Sequence, residues 1–476
     1  MTVNKDVFAD VVQFAKDIAK EGLTKGDFLE QFSCLLFLKM ASESASRPLQ
    51  PVRVIAEEYS WESLIRLDGP ELESAYNSTL EHLSSKPGLI GVIFRQTKNW
   101  MTKPSQLKSL MTDLIGCENW SAMPAEERGK IYEFLIEETV RDSKSKAGEH
   151  FTPRALISAL IECVQVKPSD TVYDPACGTG GFLLEAHRYA SRGAAQLSAE
   201  ERANLQNKLL TGWDKIERRA RFAQMNLLMH QISTLESPPL IEQRDSLLAN
   251  DGRRWSLVVS NPPFGKRMKA KDGEISRDDF ETTTLSNAAN FVQHARTSME
   301  TNGRGILIVP DNILFERSFT NLRMSLLRDF DVHTLLRLHP GIWHKAGVKA
   351  NVLFFDKKPA GEKPWTSQLW VFDFRTNLSF SPKKAPLQRR DLNEFVESYK
   401  PSNRTSRTET ARFKPYSYEE IIARENANLD IFWLKDESFE DPADLPKPHE
   451  IVDEMIEILD GATNELRKIK EVVSPT

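Results

Sequence analysis

Thr171-Val172-Tyr173-Asp174-Pro175-Ala176-Cys177-Gly178-Thr179-Gly180-Gly181-Phe182-Leu183-Leu184 reads as a strand, a glycine-rich turn and the start of a helix. Glycines at such a turn let backbone approach a ligand and leave the first helical N–H groups pointing at it. The spacing is not the G-x-G-x-x-G of dinucleotide sites. A second stretch, Trp255-Ser256-Leu257-Val258-Val259-Ser260, reads as a buried strand that stops at Asn261-Pro262-Pro263-Phe264. Two prolines cannot continue a central strand, so the backbone turns outward at the sheet's carboxyl edge, where open α/β sheets hold ligands. The Asn261 amide and the Pro262 carbonyl offer acceptors at a fixed spacing, and Phe264 offers a stacking face. Together they suit a planar ligand with an exocyclic amine. Alone, the tetrapeptide is equally a proline-rich turn; the glycine loop upstream in the same chain tips the reading toward a site.

Outward from these two stretches, strand and helix signals alternate from about 146 to 375, as in a doubly wound sheet. Candidate strands are 171–174, 209–214, 255–260, 304–309, 332–338 and 351–356, with Leu369-Trp370-Val371-Phe372 as a late edge strand. Helical patterns fall at 182–190, 215–230 and 288–300, and Gly193 to Asn207 is a polar, helix-prone insert. Residues 1 to about 145 read as helical: Phe8, Val11, Val12, Ala15, Ile18 and Ala19 keep helical spacing, Phe28 to Lys39 continue in a second helix, and Ile131 to Ile136 form a third after Pro124. From Ser398 to Tyr418 the composition shifts to Ser, Thr, Pro, Arg and Lys, which predicts a linker or exposed arm. Ile451, Met455, Leu459, Ala462, Leu466 and Ile469 then mark an amphipathic terminal helix over 449–472, close to a coiled-coil seam. Such a helix folds back on its own domain or docks on another chain.

A chain of 476 residues with 40% hydrophobic and 28% charged residues is an ordinary globular composition with room for two or three domains. The net charge is -5, whereas a protein that grips duplex DNA alone is usually basic. Any DNA grip here is expected from a partner or from local patches. Cys34, Cys117, Cys163 and Cys177 are scattered without a C-x-x-C pair, which predicts neither a disulfide framework nor a zinc site. No signal-like segment opens the chain and no apolar run approaches membrane-spanning length, so a reducing cytoplasm is the expected compartment.

Four segments can be ordered into one site. In Gly148-Glu149-His150-Phe151-Thr152-Pro153-Arg154 the Thr152 hydroxyl and loop backbone can hold the amino-acid end of a ligand, or Thr152 simply caps a helix with Pro153 at its first position. The second segment is 174–181. The third, Leu210-Thr211-Gly212-Trp213-Asp214, is a strand ending in a carboxylate that can accept from ribose hydroxyls; its long separation from the glycine loop is explained by the 193–207 insert. Asp245, in Gln243-Arg244-Asp245-Ser246-Leu247, is another strand-end acid, either meeting an adenine amine or solvated. The fourth is Asn261 to Phe264. Methyl transfer to an exocyclic amine is an in-line displacement and needs positioning more than acid–base help. Acceptors at Asn261 and Pro262 pull the amine nitrogen toward sp³, and a target base must leave its duplex to reach them. No metal is needed, and His150 and His230 read as structural. Lys266, Arg267, Lys269 and Lys271 form a basic loop suited to phosphate contact, or a solvated charge run.

Asp-Pro-x-x-Gly-x-Gly-Gly at 174–181 resembles the S-adenosylmethionine loop of Rossmann-like methyltransferases. With Gly148 to Arg154, Gly212 to Asp214, Met225 to His230, Asn261 to Gly265, Gly305 to Leu314, Gly347 to Phe355 and Asn428 to Trp433, the chain resembles, along nearly its whole length, the modification subunit of type I restriction–modification systems, N6-adenine DNA methylases. The resemblance implies an α/β fold: a Rossmann-like methyltransferase sheet with a helical domain before it and a helical tail after it. The expected divisions are 1–145, closing over DNA; 146–397, the methyltransferase; and 398–476, docking on the specificity subunit. It also implies S-adenosylmethionine as cofactor, double-stranded DNA as substrate, and an assembly of two such chains with one specificity subunit, joined by a restriction subunit. Cofactor contacts carry over to Glu149, His150, Phe151, Thr152, Pro153, Arg154, Asp174, Gly178, Thr179, Gly180, Gly181, Asp214 and Asp245, and target-base contacts to Asn261, Pro262, Pro263 and Phe264. One departure is Asp214, where the family usually has Glu. Rival expectations are methylation of RNA, of a protein glutamine or of cytosine N4, and a non-catalytic scaffold.

Overall fold

In the computed structural model, residues 7–435 are described apart from 21, 48–50, 102, 142–150, 194–195, 268–274, 276, 344–347 and 383. The chain divides into two compact units, Met1–Phe432 and Trp433–Thr476. The terminal helix expected over 449–472 lies outside the described residues.

The first unit is built on a nine-stranded mixed sheet. In chain order the strands are β1 Val172–Asp174, β2 Leu210–Asp214, β3 Ile241–Gln243, β4 Trp255–Ser260, β5 Met299–Pro310, β6 Phe330–Leu338, β7 Ala350–Lys357, β8 Gln368–Phe374 and β9 Phe413–Ser417. In space they run β3-β2-β1-β4-β5-β7-β6-β8-β9. Neighbours from β3 to β5 are parallel, β7 lies antiparallel to both β5 and β6, and β6 and β8 are parallel. The central strands are buried on both faces, which is why Leu257 to Ser260 and Ile306 to Val309 read as unbroken runs rather than alternations.

All seven expected strands are present. Three local expectations need correction. The 398–418 stretch is not a loose arm: Tyr399 and Arg407 are buried, and β9 pairs antiparallel with β8, Phe413 opposite Phe372. Consequently β8 is not the sheet's edge; β9 is, and its Pro415 sits where an edge strand tolerates a missing N–H. Met299 and Glu300, expected in a helix, already belong to β5, because the helix Asn287–Ser298 runs straight into the strand. The polar insert forms the helix Ala199–Asn207, opened by a capping box between Ser198 and Glu201.

The N-terminal region is helical as expected. Val7–Lys20 and Lys25–Ala45 are helices, the second opened by a Thr24–Asp27 capping box, and Ala125–Arg141 contains the third apolar pattern. These helices enclose a core that includes Phe28, Phe32, Leu36, Ile93, Trp120 and Ile136. The helix Glu217–Met229 belongs to two cores at once. Ala220, Ala223 and Leu227 pack with the sheet, whereas Phe222, Met225, Leu228 and Met229 pack with the N-terminal helices. Arg221 secures the second face: only 1% exposed, it donates to the carbonyls of Ile93 and Arg95 and pairs with Glu30 at 3.2 Å. Arg218, one turn away, pairs with Asp27 and Glu30.

Candidate active site

The parallel register brings the acids and the Asn-Pro-Pro-Phe turn to one edge. Asp174 pairs with Gly212, so β2 runs two residues further to Asp214, which lies opposite Gln243. Ser260 ends β4 beside them. A cavity of about 400 Å³ opens over these ends, within the ordinary range of ~300–1,000 Å³ for small-molecule sites. Its wall includes Phe151, Thr152, Arg154, Asp174, Gly178, Thr179, Gly181, Asp214, Asp245, Asn261 and Pro263. The four segments singled out from the sequence therefore meet in one place.

Asp174 is buried and accepts from the Ala176 N–H at 3.0 Å and from Ser260 Oγ at 2.7 Å. Burial pushes its carboxyl up to about 7, and nearby Asp214 adds to the shift. Asp214 is also buried, which raises its carboxyl; its two oxygens accept from the Gly178 N–H at 3.0 Å and the Ile216 N–H at 2.8 Å. The shorter Asp thus serves as a brace between the glycine loop and the turn after β2. Gly180 opens the next helix at φ +80, a left-handed conformation that favours glycine. At Gly181 a Cβ would fall 2.1 Å from Arg154 Nη1, so the glycine admits the guanidinium.

Arg154 pairs with Glu133 at 3.0 Å and lies over the Phe151 ring, 5.6 Å from its centroid. Thr152 does not cap the following helix. That helix begins at Arg154 with Pro153 as its cap residue and no side-chain cap bond, and Thr152 Oγ1 instead accepts from Asn261 Nδ2 at 2.9 Å. Pro262 is buried, while Phe264 is half-buried against the core of the sheet, outside the cavity wall. Glu149 and His150 lie outside the described residues. His230 is half-buried against Gly129, and desolvation lowers its imidazole to about 4.

Two readings from the sequence look different in three dimensions. Asp245 is not simply solvated: it forms ion pairs with Arg267 at 2.9 Å and Lys215 at 3.2 Å while lining the cavity. Arg267 accordingly leaves the basic run and turns inward; Lys266 is exposed, and Lys269 and Lys271 lie outside the described residues. Other lining residues were not singled out, among them Lys215, Arg244, Asn287 and Phe291. Asn287 and Phe291 are one turn apart on a helix whose start is tied to the turn, the Asn287 N–H donating to the Gly265 carbonyl at 2.9 Å. Their four-residue spacing was the available signal.

A family model described as N-6 DNA Methylase matches residues 125–437. The chain is 31% identical to the methylase subunit of the StySPI type I restriction enzyme of Salmonella potsdam, covering 97% of this chain and 94% of the relative. It is 30% identical to the EcoKI methylase subunit of Escherichia coli K12 over the same shares. The crystal structure of the EcoKI M protein superposes with a TM-score of 0.56 at 27% identity, covering 99% of this chain and 97% of that one. A chain from a type I restriction–modification system solved for its assembly and conformational transition gives a TM-score of 0.74 over 99% of each chain; at 23% identity it speaks to the fold alone.

Proposed function

The chain belongs to the N-6 DNA methylase family, as an adenine-specific methyltransferase subunit of the type I restriction–modification kind, and from that premise we propose that the cavity over β1, β2 and β4 holds S-adenosylmethionine and that Asn261 receives the target adenine. The observation that carries this assignment is the meeting of the 174–181 loop, Asp214 and Asn261 in one wall. The residues fit the cofactor. The Asp214 carboxylate suits ribose hydroxyls, Arg154 and Thr152 stand at the side suited to an amino-acid moiety, and Gly178, with nothing within 4 Å of where a Cβ would stand, gives close approach. Asp245, held by Arg267 and Lys215, is set to meet an adenine amine. Glu149, His150, Pro153, Thr179 and Gly180 complete the proposed contacts.

S-adenosylmethionine, when bound, supplies a methyl group on a positively charged sulfur. The chain supplies placement. Nδ2 of Asn261 donates to Thr152 Oγ1, and in this orientation Oδ1 is the proposed acceptor end of the amide. Oδ1 and the Pro262 carbonyl take the two N–H bonds of the target amine, so that its lone pair is no longer shared with the ring and faces the methyl donor. Pro263 in the wall and the open part of Phe264 provide apolar surface for the base. Pocket chemistry alone also admits cytosine N4 or an amide nitrogen; full-length likeness to type I methylase subunits favours adenine in DNA.

Type I methylases act in complexes, and we assign this chain double-stranded DNA as substrate, a specificity subunit, a second copy of itself and a restriction subunit as partners. The N-terminal helices up to about 145 close over DNA, 146–397 carries the chemistry, and docking on the specificity subunit falls to the segment after the compact unit ends at Phe432. Among the described residues no helix is long and apolar enough to cross a membrane, and we assign the chain's work on DNA to the cytoplasm. The test is Asn261→Ala in the full complex. Losing one contact made at the reacting nitrogen lowers methyl transfer about 10²–10³-fold, with cofactor affinity by calorimetry changed only a few-fold. Wild-type transfer by this variant removes Asn261 from the chemistry.

A further inference from the structure

The side-chain amide of Asn261 has two orientations half a turn apart, and only one presents oxygen to an incoming amine. The reversed orientation sets an NH₂ against an NH₂. The backbone on the approach to Asn261 is already fixed, because Ser260 Oγ is bonded to Asp174 at the end of β1. The side chain is held from another direction. Thr152, 7% exposed and just before the helix Arg154–Val164, accepts a hydrogen bond from Asn261 Nδ2 on its hydroxyl oxygen at 2.9 Å. Its hydroxyl is not spent on capping that helix, which has no side-chain cap bond.

We propose that Thr152 is a positioning residue for Asn261: by accepting from Nδ2 its hydroxyl holds the amide with Oδ1 toward the target amine, so the residues before the helix Arg154–Val164 govern the base site as well as the cofactor site. The proposal rests on the assignment of Asn261 as that acceptor. Thr152 lines the same cavity, and a purely cofactor-binding role makes a different forecast. If Thr152 only held the cofactor, its loss would appear in affinity. If it orients Asn261, its loss appears in the transfer step with cofactor saturating.

The experiment compares Thr152→Val, which keeps the shape and removes the acceptor, with Thr152→Ser, which restores it, in the full-length chain assembled with its specificity subunit. S-adenosylmethionine affinity is measured by calorimetry, and single-turnover methyl transfer to duplex DNA is measured at saturating cofactor. Thr152→Val should slow transfer at saturating cofactor roughly tenfold, the scale of one hydrogen bond, whatever the change in affinity. Thr152→Ser should recover the rate. Should Thr152→Val fail to fold, Thr152→Ala removes the same acceptor in less space and is judged by the same criteria. Wild-type transfer by the variant lacking the hydroxyl, a defect confined to cofactor affinity, or a Thr152→Ser chain as slow as Thr152→Val would each overturn the proposal. Failure of the underlying assignment looks different, since Asn261→Ala would then transfer normally whatever Thr152 does.

Discussion

Asp214→Asn separates the brace function of this carboxylate from its proposed role toward the cofactor. The native side chain uses one oxygen for the Gly178 N–H and the other for the Ile216 N–H. An amide of the same shape has a single oxygen, so one of these N–H groups must face an NH₂ in a site that is only 4% exposed. A buried donor left without its acceptor costs ~1–3 kcal/mol, which sets the expected loss of fold stability. The cofactor loses more: a hydrogen bond to a charged group contributes ~1.5–3 kcal/mol, and the loop carrying Gly178 is no longer braced. A combined loss of about 2–4 kcal/mol corresponds to roughly 30–1,000-fold weaker S-adenosylmethionine binding, at about 1.4 kcal/mol per decade. Calorimetry reports the affinity, denaturant titration the stability, and single-turnover transfer at saturating cofactor should stay within a few-fold of wild type. Asp214→Ala, which strips both acceptors, should lose about twice the stability. Unchanged affinity with a slowed saturated rate would refute the reasoning, because Asp214 would then act on the chemistry rather than on the cofactor.

Arg221→Met should destabilise the chain by ~3–5 kcal/mol in urea, since two carbonyls and Glu30 lose a buried cation; a loss below ~1 kcal/mol would show that Arg218 alone secures that contact. Asp174, held at about 7 by burial against an ordinary 3.8, keeps its proton in the folded chain after the unfolded chain has released it. Its contribution to stability therefore falls as pH rises from about 3.8 and levels off above about 7. Asp174→Asn, which retains an acceptor, should flatten that part of the melting-temperature profile, and an unchanged profile rejects the assignment. Deleting 449–476 should abolish co-purification with the specificity subunit while the remaining chain folds and binds S-adenosylmethionine; normal assembly by the truncated chain would place docking elsewhere.

What could be read from the sequence follows from how much each element depends on distant partners. The central parallel strands announce themselves because both faces are apolar, and the two turns at 174–181 and 261–264 because glycine and proline restrict the backbone locally. β9 was hidden: Phe413-Lys414-Pro415-Tyr416-Ser417 is short, polar and interrupted by proline, and only pairing with β8 makes it a strand. β3 has three residues, too few to show a period. Arg267 looked like one cation in a basic run, and nothing in its neighbours signals that Asp245, 22 positions earlier, draws it inward. Thr152 kept the sequence signature of a helix cap because its true partner is 109 residues away.

The helix Glu217–Met229 imposes an order on synthesis. The N-terminal helices leave the ribosome first, yet Phe222, Met225, Leu228 and Met229 of their core arrive only after some 220 residues have been made. Until then the nascent helical layer exposes the apolar face those side chains will cover, and it cannot mature as an early, self-sufficient piece. The same dependence means that a fragment cut at the end of the helical region would be born with an open hydrophobic face and a tendency to aggregate, however regular its own helices are.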